Sequence, residues 1–188
     1  MRTTLAPVMC ILVTACGSAV PRGPEAAFDR LRVAVAARDG RFLYDALDPE
    51  SRWAVDSVWQ SHRAVATLVA AWPDAARERE LNRVAAAQAS ATARELLTHD
   101  TARLGDPFVT LGGGAAGLGR LARVEQASTS AARIVTTTGL IVPVAAGPDG
   151  AWGYAGLRPT LLRWRDDAAN DAKRLAEDAA RMTRPPAH

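Results

Sequence analysis

The stretch Arg133-Ile134-Val135-Thr136-Thr137-Thr138-Gly139-Leu140-Ile141-Val142-Pro143-Val144-Ala145, followed by Gly147-Pro148-Asp149-Gly150 and Ala151-Trp152-Gly153-Tyr154, decides the fold class. Arg133 to Thr138 is rich in β-branched residues and predicts a strand. Gly139 turns the chain into Leu140 to Ala145, the Gly147–Gly150 cluster is a second turn, and Ala151 to Tyr154 returns as a further strand. With Leu121 to Ala127 ahead of them these segments make a small antiparallel meander. Pro143 conflicts with a central position, because a proline deletes one ladder hydrogen bond. A bulge or an edge position is therefore expected there.

Downstream of the meander, Arg158-Pro159 leads to Thr160, a candidate cap for a long last helix. Its apolar residues Leu161, Trp164, Ala168, Ala172, Leu175, Ala179 and Met182 form one continuous stripe at spacings of three and four. Packing on its own domain is the plain role for that stripe; docking on a partner is the other.

Upstream, periodicity fails from Thr98 to Gly119, and the glycines there predict a loop. Gly112-Gly113-Gly114-Ala115-Ala116-Gly117 satisfies the letter of G-x-G-x-x-G. It lacks the preceding strand and following helix that a dinucleotide site requires, so no cofactor is expected. Before the loop the pattern is helical. Pro24 opens a helix with Phe28, Leu31 and Val35 on one face, stopped at Gly40, and a shorter helix runs from Arg41 to Leu47. Asp48-Pro49 is the clearest helix start in the chain, with Asp48 as N-cap and Pro49 at the first helical position. That third helix predicts a buried face of Val55, Val58 or Trp59, His62, Ala66 and Val69, ending at Trp72-Pro73. Asp74 is expected to cap a fourth helix, Ala75 to Leu97, whose thin alanine stripe would lie across the others. The whole reads as α+β: N-terminal helices, a small meander and a long C-terminal helix.

The start of the chain has a different character. Arg2 precedes an apolar run from Leu5 to Leu12, and small residues follow, as a secretory signal requires. The run is far short of the roughly 20 apolar residues that a span needs. Val13-Thr14-Ala15-Cys16 resembles the lipobox of bacterial lipoproteins. The resemblance implies that Cys16 receives a diacylglyceryl group and becomes the first residue of the mature chain, and that Gly17, where an aspartate would favour the inner membrane, directs the protein to the outer membrane facing the periplasm. The division expected is 1–15 signal peptide, 16–23 lipidated tether, 24–183 a single domain and 184–188 a disordered tail. Cys10 leaves with the signal, so the mature domain holds no free thiol, disulfide or thiolate metal site.

Composition narrows the function further. The 23 basic and 20 acidic residues nearly balance and are interleaved, as in Arg77, Glu78, Arg79 and Glu80, which is a solvated helix face and not a nucleic-acid footprint. Three histidines without ligand spacing predict no metal site. No G-x-S-x-G elbow marks a serine nucleophile. Of the five tryptophans, Trp53 and Trp152 are the candidates to line a pocket.

Phe28-x-x-Leu31, Asp39-Gly40, Leu43-Tyr44-x-x-Leu47, Pro49-Glu50-Ser51-Arg52 and Asp149-Gly150-x-Trp152, in helices followed by a meander, are similar to small bacterial lipoproteins of the NTF2-like (SnoaL-like) group. The resemblance implies helices wrapped on a curved sheet around a cavity, used by some members for isomerase or dehydratase chemistry and by many only for binding. Acid-base members set an Asp or His against a Tyr in an apolar pocket. The catalytic candidates here are His62, on the apolar face of the third helix, and Tyr44. The reading favoured is a lipid-anchored, non-catalytic domain that binds an envelope protein or a small apolar ligand; the alternative is an enzyme using His62 and Tyr44.

Overall fold

The computed structural model describes residues 21–112 and 117–182. Cys10, Cys16, the signal peptide, most of the tether and the tail 184–188 lie outside the described residues. Among the described residues are eight α-helices and one four-stranded sheet: α1 Pro24–Ala37, α2 Gly40–Ala46, α3 Pro49–Leu68, α4 Asp74–Arg83, α5 Ala85–Ala89, α6 Ala93–His99, α7 Pro107–Gly112, β1 Leu121–Ser128, β2 Ala131–Thr136, β3 Ile141–Ala146, β4 Trp152–Tyr154 and α8 Arg158–Met182. No described helix is long and apolar enough to cross a membrane.

The sheet is the expected antiparallel meander in the order β1-β2-β3-β4. Pro143 stands inside β3, opposite Arg133, and β3 is an inner strand. No bulge is needed. The Pro143 carbonyl accepts from Ala155 N at 3.0 Å, on the β4 side and just past the end of that short strand. A strand residue's N and C=O point the same way. The missing N–H therefore faces the unpaired end of β4, and the ladder with β2 is untouched.

One face of the sheet, with Ala132, Ile134, Val142 and Val144, is buried, and α1 lies against it. The opposite face keeps Arg133, Ile141 and Pro143 exposed, while Val135 and Ala145 on it are buried and the α2–α3 connection covers it at Gly153; the rest is wet. The main core unites Phe28 and Leu31 of α1, Leu43 of α2, Leu96 and Leu97 of α6, Ile134 of the sheet and Leu161 of α8. A second cluster, Val65, Val69, Val84 and Leu175, closes the far end of the α3–α8 pair. The stripe on α8 packs on α3, as its spacing predicted, although the helix begins at Arg158 and not after Thr160.

Four expectations need correction. α1 is closed by Arg38 in the left-handed region (φ 49°), and Gly40 instead opens α2, where a side chain would collide with the backbone of Leu97 at 2.3 Å. The helix expected from Ala75 to Leu97 is three helices. It breaks at Val84 and again at Ser90, whose hydroxyl bonds Ala86 O at 2.7 Å and whose carbonyl accepts Trp59 Nε1 at 3.3 Å. That second break turns Leu96 and Leu97 into the core, so α6 is a core helix and not an alanine-striped cover. Asp74 is the first residue of α4 and Pro73 takes the cap position. Finally, the stretch expected as loop contains a 3₁₀ turn, Thr101–Leu104, and α7, which buries Phe108 and Leu111.

Candidate functional site

Asp48 initiates α3 as expected: its carboxylate accepts Glu50 N at 3.1 Å and Ser51 N at 3.3 Å, satisfying amides that have no partner inside the helix. It also accepts from Ser51 Oγ and from Arg158 Nη2, the latter at 2.8 Å. The Asp48 side chain is 1% exposed. A buried carboxylate has to be matched by donors, and here two amides, a hydroxyl and a guanidinium supply them. Arg158, on the first turn of α8, reaches Glu50 as well, at 3.1 Å. The junction thereby ties the start of α3 to the start of α8 across 110 positions of sequence.

Above this junction lies a half-open cleft of about 500 Å³. Its walls are Pro49, Glu50 and Trp53 of α3, Ser130 and Ala131 at the start of β2, Ala145 and Ala146 of β3, Gly147 and Pro148 of the following turn, and Arg158. The lining is mostly apolar, with the Arg158 guanidinium, the Asp48 and Glu50 carboxylates paired to it, and the Ser130 hydroxyl. Size and composition fall in the range of small-ligand sites.

Trp53 is 53% exposed and the largest apolar side chain left in solvent. It lines the cleft on one side and, on the other, a smaller groove of about 230 Å³ with Tyr44, Arg52 and Asp56. The guanidinium of Arg165 on α8 sits 4.8 Å from its ring centroid, which fixes the indole as a ridge between the two. Trp53 was one of two tryptophans expected to line a pocket; Trp152, the other, is buried in β4.

The two catalytic candidates are both placed, and on different neighbours. Tyr44 donates its hydroxyl to Asp56 Oδ1 at 2.7 Å, and burial together with that carboxylate raises its pKa well above the ordinary tyrosine value. His62 is buried on α3, edge-on to Trp164 with centroids 6.2 Å apart, and its Nδ1 has no hydrogen-bond partner. Burial, with Arg103 and Arg83 adding to it and Asp171 opposing, pushes its pKa down to about 4. Asp56 and His62 are six residues apart on one helix, so their faces diverge by about 120°. The pair is not brought to a common pocket: Tyr44 borders the Trp53 groove, and His62 faces α8. Both are neutral near pH 7.

In the sequence Asp48 reads only as a cap, and nothing marks Arg158. No local pattern could have found that pairing, because it exists only once α8 has packed on α3. The G-x-G-x-x-G stretch is preceded by helix α7 and followed by strand β1, the reverse of the dinucleotide-binding order. No protein-family model, no curated protein and no solved structure matches this chain.

Proposed function

We propose that this protein is a lipid-anchored component of a bacterial envelope, carried on the outer membrane by Cys16 and exposing one non-catalytic binding domain to the periplasm. The observation that carries the reading is the lipobox-like Val13-Thr14-Ala15-Cys16 placed directly after an apolar run of signal-peptide length. Two acyl chains hold a protein to a bilayer far more firmly than one, at about 0.8 kcal/mol per buried methylene. The domain then needs no apolar face of its own to stay there.

What the domain binds is read from the cleft beside Asp48. A mostly apolar hollow with Arg158 and Glu50 at its edge suits a small amphipathic ligand, its apolar part against the alanines of β2 and β3. The isomerase or dehydratase alternative requires Tyr44 and His62 in one pocket, and their separate neighbours weigh against it. Cys16→Ala tests the anchor: metabolic labelling with palmitate is expected to vanish and the protein to leave the membrane fraction. Labelling that persists in the variant overturns the assignment.

A further inference from the structure

Resting on the lipid-anchor reading above, we propose that the domain stands on the bilayer by the end that carries the β3–β4 turn, the first turn of α3 and Trp53, which holds the cleft at the level of the lipid headgroups. The argument begins with where the folded chain takes over from the tether. Pro21 is already buried, and its carbonyl accepts Trp152 N at 3.0 Å, so the edge strand β4 pins the chain at that residue. Only five residue steps separate Cys16 from Pro21. Fully extended they reach about 18 Å.

The pin lies close to the cleft. Trp152 pairs with Ala146, the adjacent Gly147 donates its N–H to Ala151 O at 2.9 Å, and Gly147 packs against the Pro49 ring. From Pro49, α3 runs away for 20 residues, or about 30 Å, to the helical end that holds α4. The far end therefore lies beyond the tether's reach, about 30 Å away against about 18 Å.

The two ends also differ in chemistry. At the near end the exposed Trp53 indole is covered by Arg165, itself paired with Asp166, and an exposed indole beside a guanidinium suits the membrane–water interface. Among its acids Glu50 is paired with Arg158 at 3.1 Å and Asp166 with Arg165, so these charges are partly offset, while Asp149 accepts Ala151 N at 3.1 Å. At the far end α4 buries no residue and mixes Arg77, Glu78, Arg79 and Glu80, a face for water.

The test uses the full-length lipidated protein in phosphatidylethanolamine–phosphatidylglycerol vesicles doped with lipid bearing a nitroxide on its headgroup. A fluorophore is attached through a single introduced cysteine, Asp149→Cys near the pin or Glu78→Cys on α4; the alkylated Cys16 does not compete. At position 149 the quenching is expected to be at least twofold stronger than at 78, and to fall when about 20 Gly/Ser residues are inserted after Ser18. Equal or reversed quenching in protein that floats with the vesicles overturns the orientation and leaves the anchor standing. Unchanged quenching after the insertion overturns the short tether as its cause. Protein that carries no lipid and stays at the bottom of the gradient overturns the anchor reading, and the orientation with it.

Discussion

A buried neutral imidazole is a pH-dependent element of stability. Burial first, then the charges of Arg103 from the 3₁₀ turn and Arg83 from α4, against Asp171 from α8, keep His62 from protonating until about pH 4 in the folded state. In the unfolded chain it protonates near its ordinary value of about 6.5. The unfolded state thus binds the extra proton first, and stability falls as pH drops from about 6.5 to about 4, by up to about 3 kcal/mol. His62→Leu should remove that component: urea midpoints at pH 7 and pH 4.5 are expected to lie closer together in the variant than in the parent. Identical pH dependence in the two would show that the imidazole is already charged in the native fold. Asp48 is the other residue whose environment fixes its role. Asp48→Ala strips the α3 cap and leaves Arg158 facing an emptied site, with an expected loss of about 2–4 kcal/mol in urea unfolding. Asp48→Asn, which keeps an acceptor for the amides, should lose about half as much.

Among the elements, the short strand β4 depends on a residue that has no side chain. A Cβ on Gly153 would lie 2.2 Å from Leu47 O and 2.4 Å from Asp48 N, where the α2–α3 connection runs alongside the strand and Asp48 N donates to Tyr154 O at 3.1 Å. Gly153→Ala is therefore expected to destabilise by at least about 2 kcal/mol and to lower the thermal midpoint, because backbone and not a flexible side chain stands in the way. A midpoint within a degree of the parent would mean that β4 does not sit on that connection. The sequence pattern did disclose the meander, the α3 start and the α8 stripe, since each rests on local signals: β-branched runs, Asp48-Pro49 and a 3.6-residue period. Two starts went unread although their signals were present. Asp106-Pro107 repeats the Asp48-Pro49 pattern, and Asp106 Oδ1 accepts Phe108 N and Val109 N, both at 3.2 Å, to open α7. Thr92-x-x-Glu95 has the spelling of a capping box, of which α6 uses only a variant: Glu95 accepts Ala91 N at 2.8 Å, and the Thr92 side chain makes no cap bond. The role of Gly40 is illegible for another reason. A glycine stop and a glycine that admits a neighbouring backbone look alike in one dimension, and only the position of Leu97 separates them.

Over the whole molecule, α3 and α8 form a spine that both core clusters share, and its two halves should fail separately. Near the start of α8, Leu161 and Trp164 enter the main core beside Ala168, while Arg158 completes the Asp48 junction. Farther along, Leu175 seals the small cluster with Val65, Val69 and Val84, and Asp171 pairs with Arg83 of α4. Burying a large apolar side chain contributes roughly 1.5–3 kcal/mol. Removing Leu161, Trp164 and Leu175 together would thus forfeit about 6 kcal/mol, on the order of the total stability of a domain this size. Deleting residues 160–188 is accordingly expected to abolish cooperative unfolding by circular dichroism. A stop after Asn170 should instead leave a folded protein weakened by about 2–4 kcal/mol, with the loss confined to the α4 end and visible as faster amide exchange there. A chain that keeps its full stability without residues 160–188 would turn α8 into a docking arm for another molecule. The burial of Leu161 and Trp164 argues that removing this helix opens the core itself.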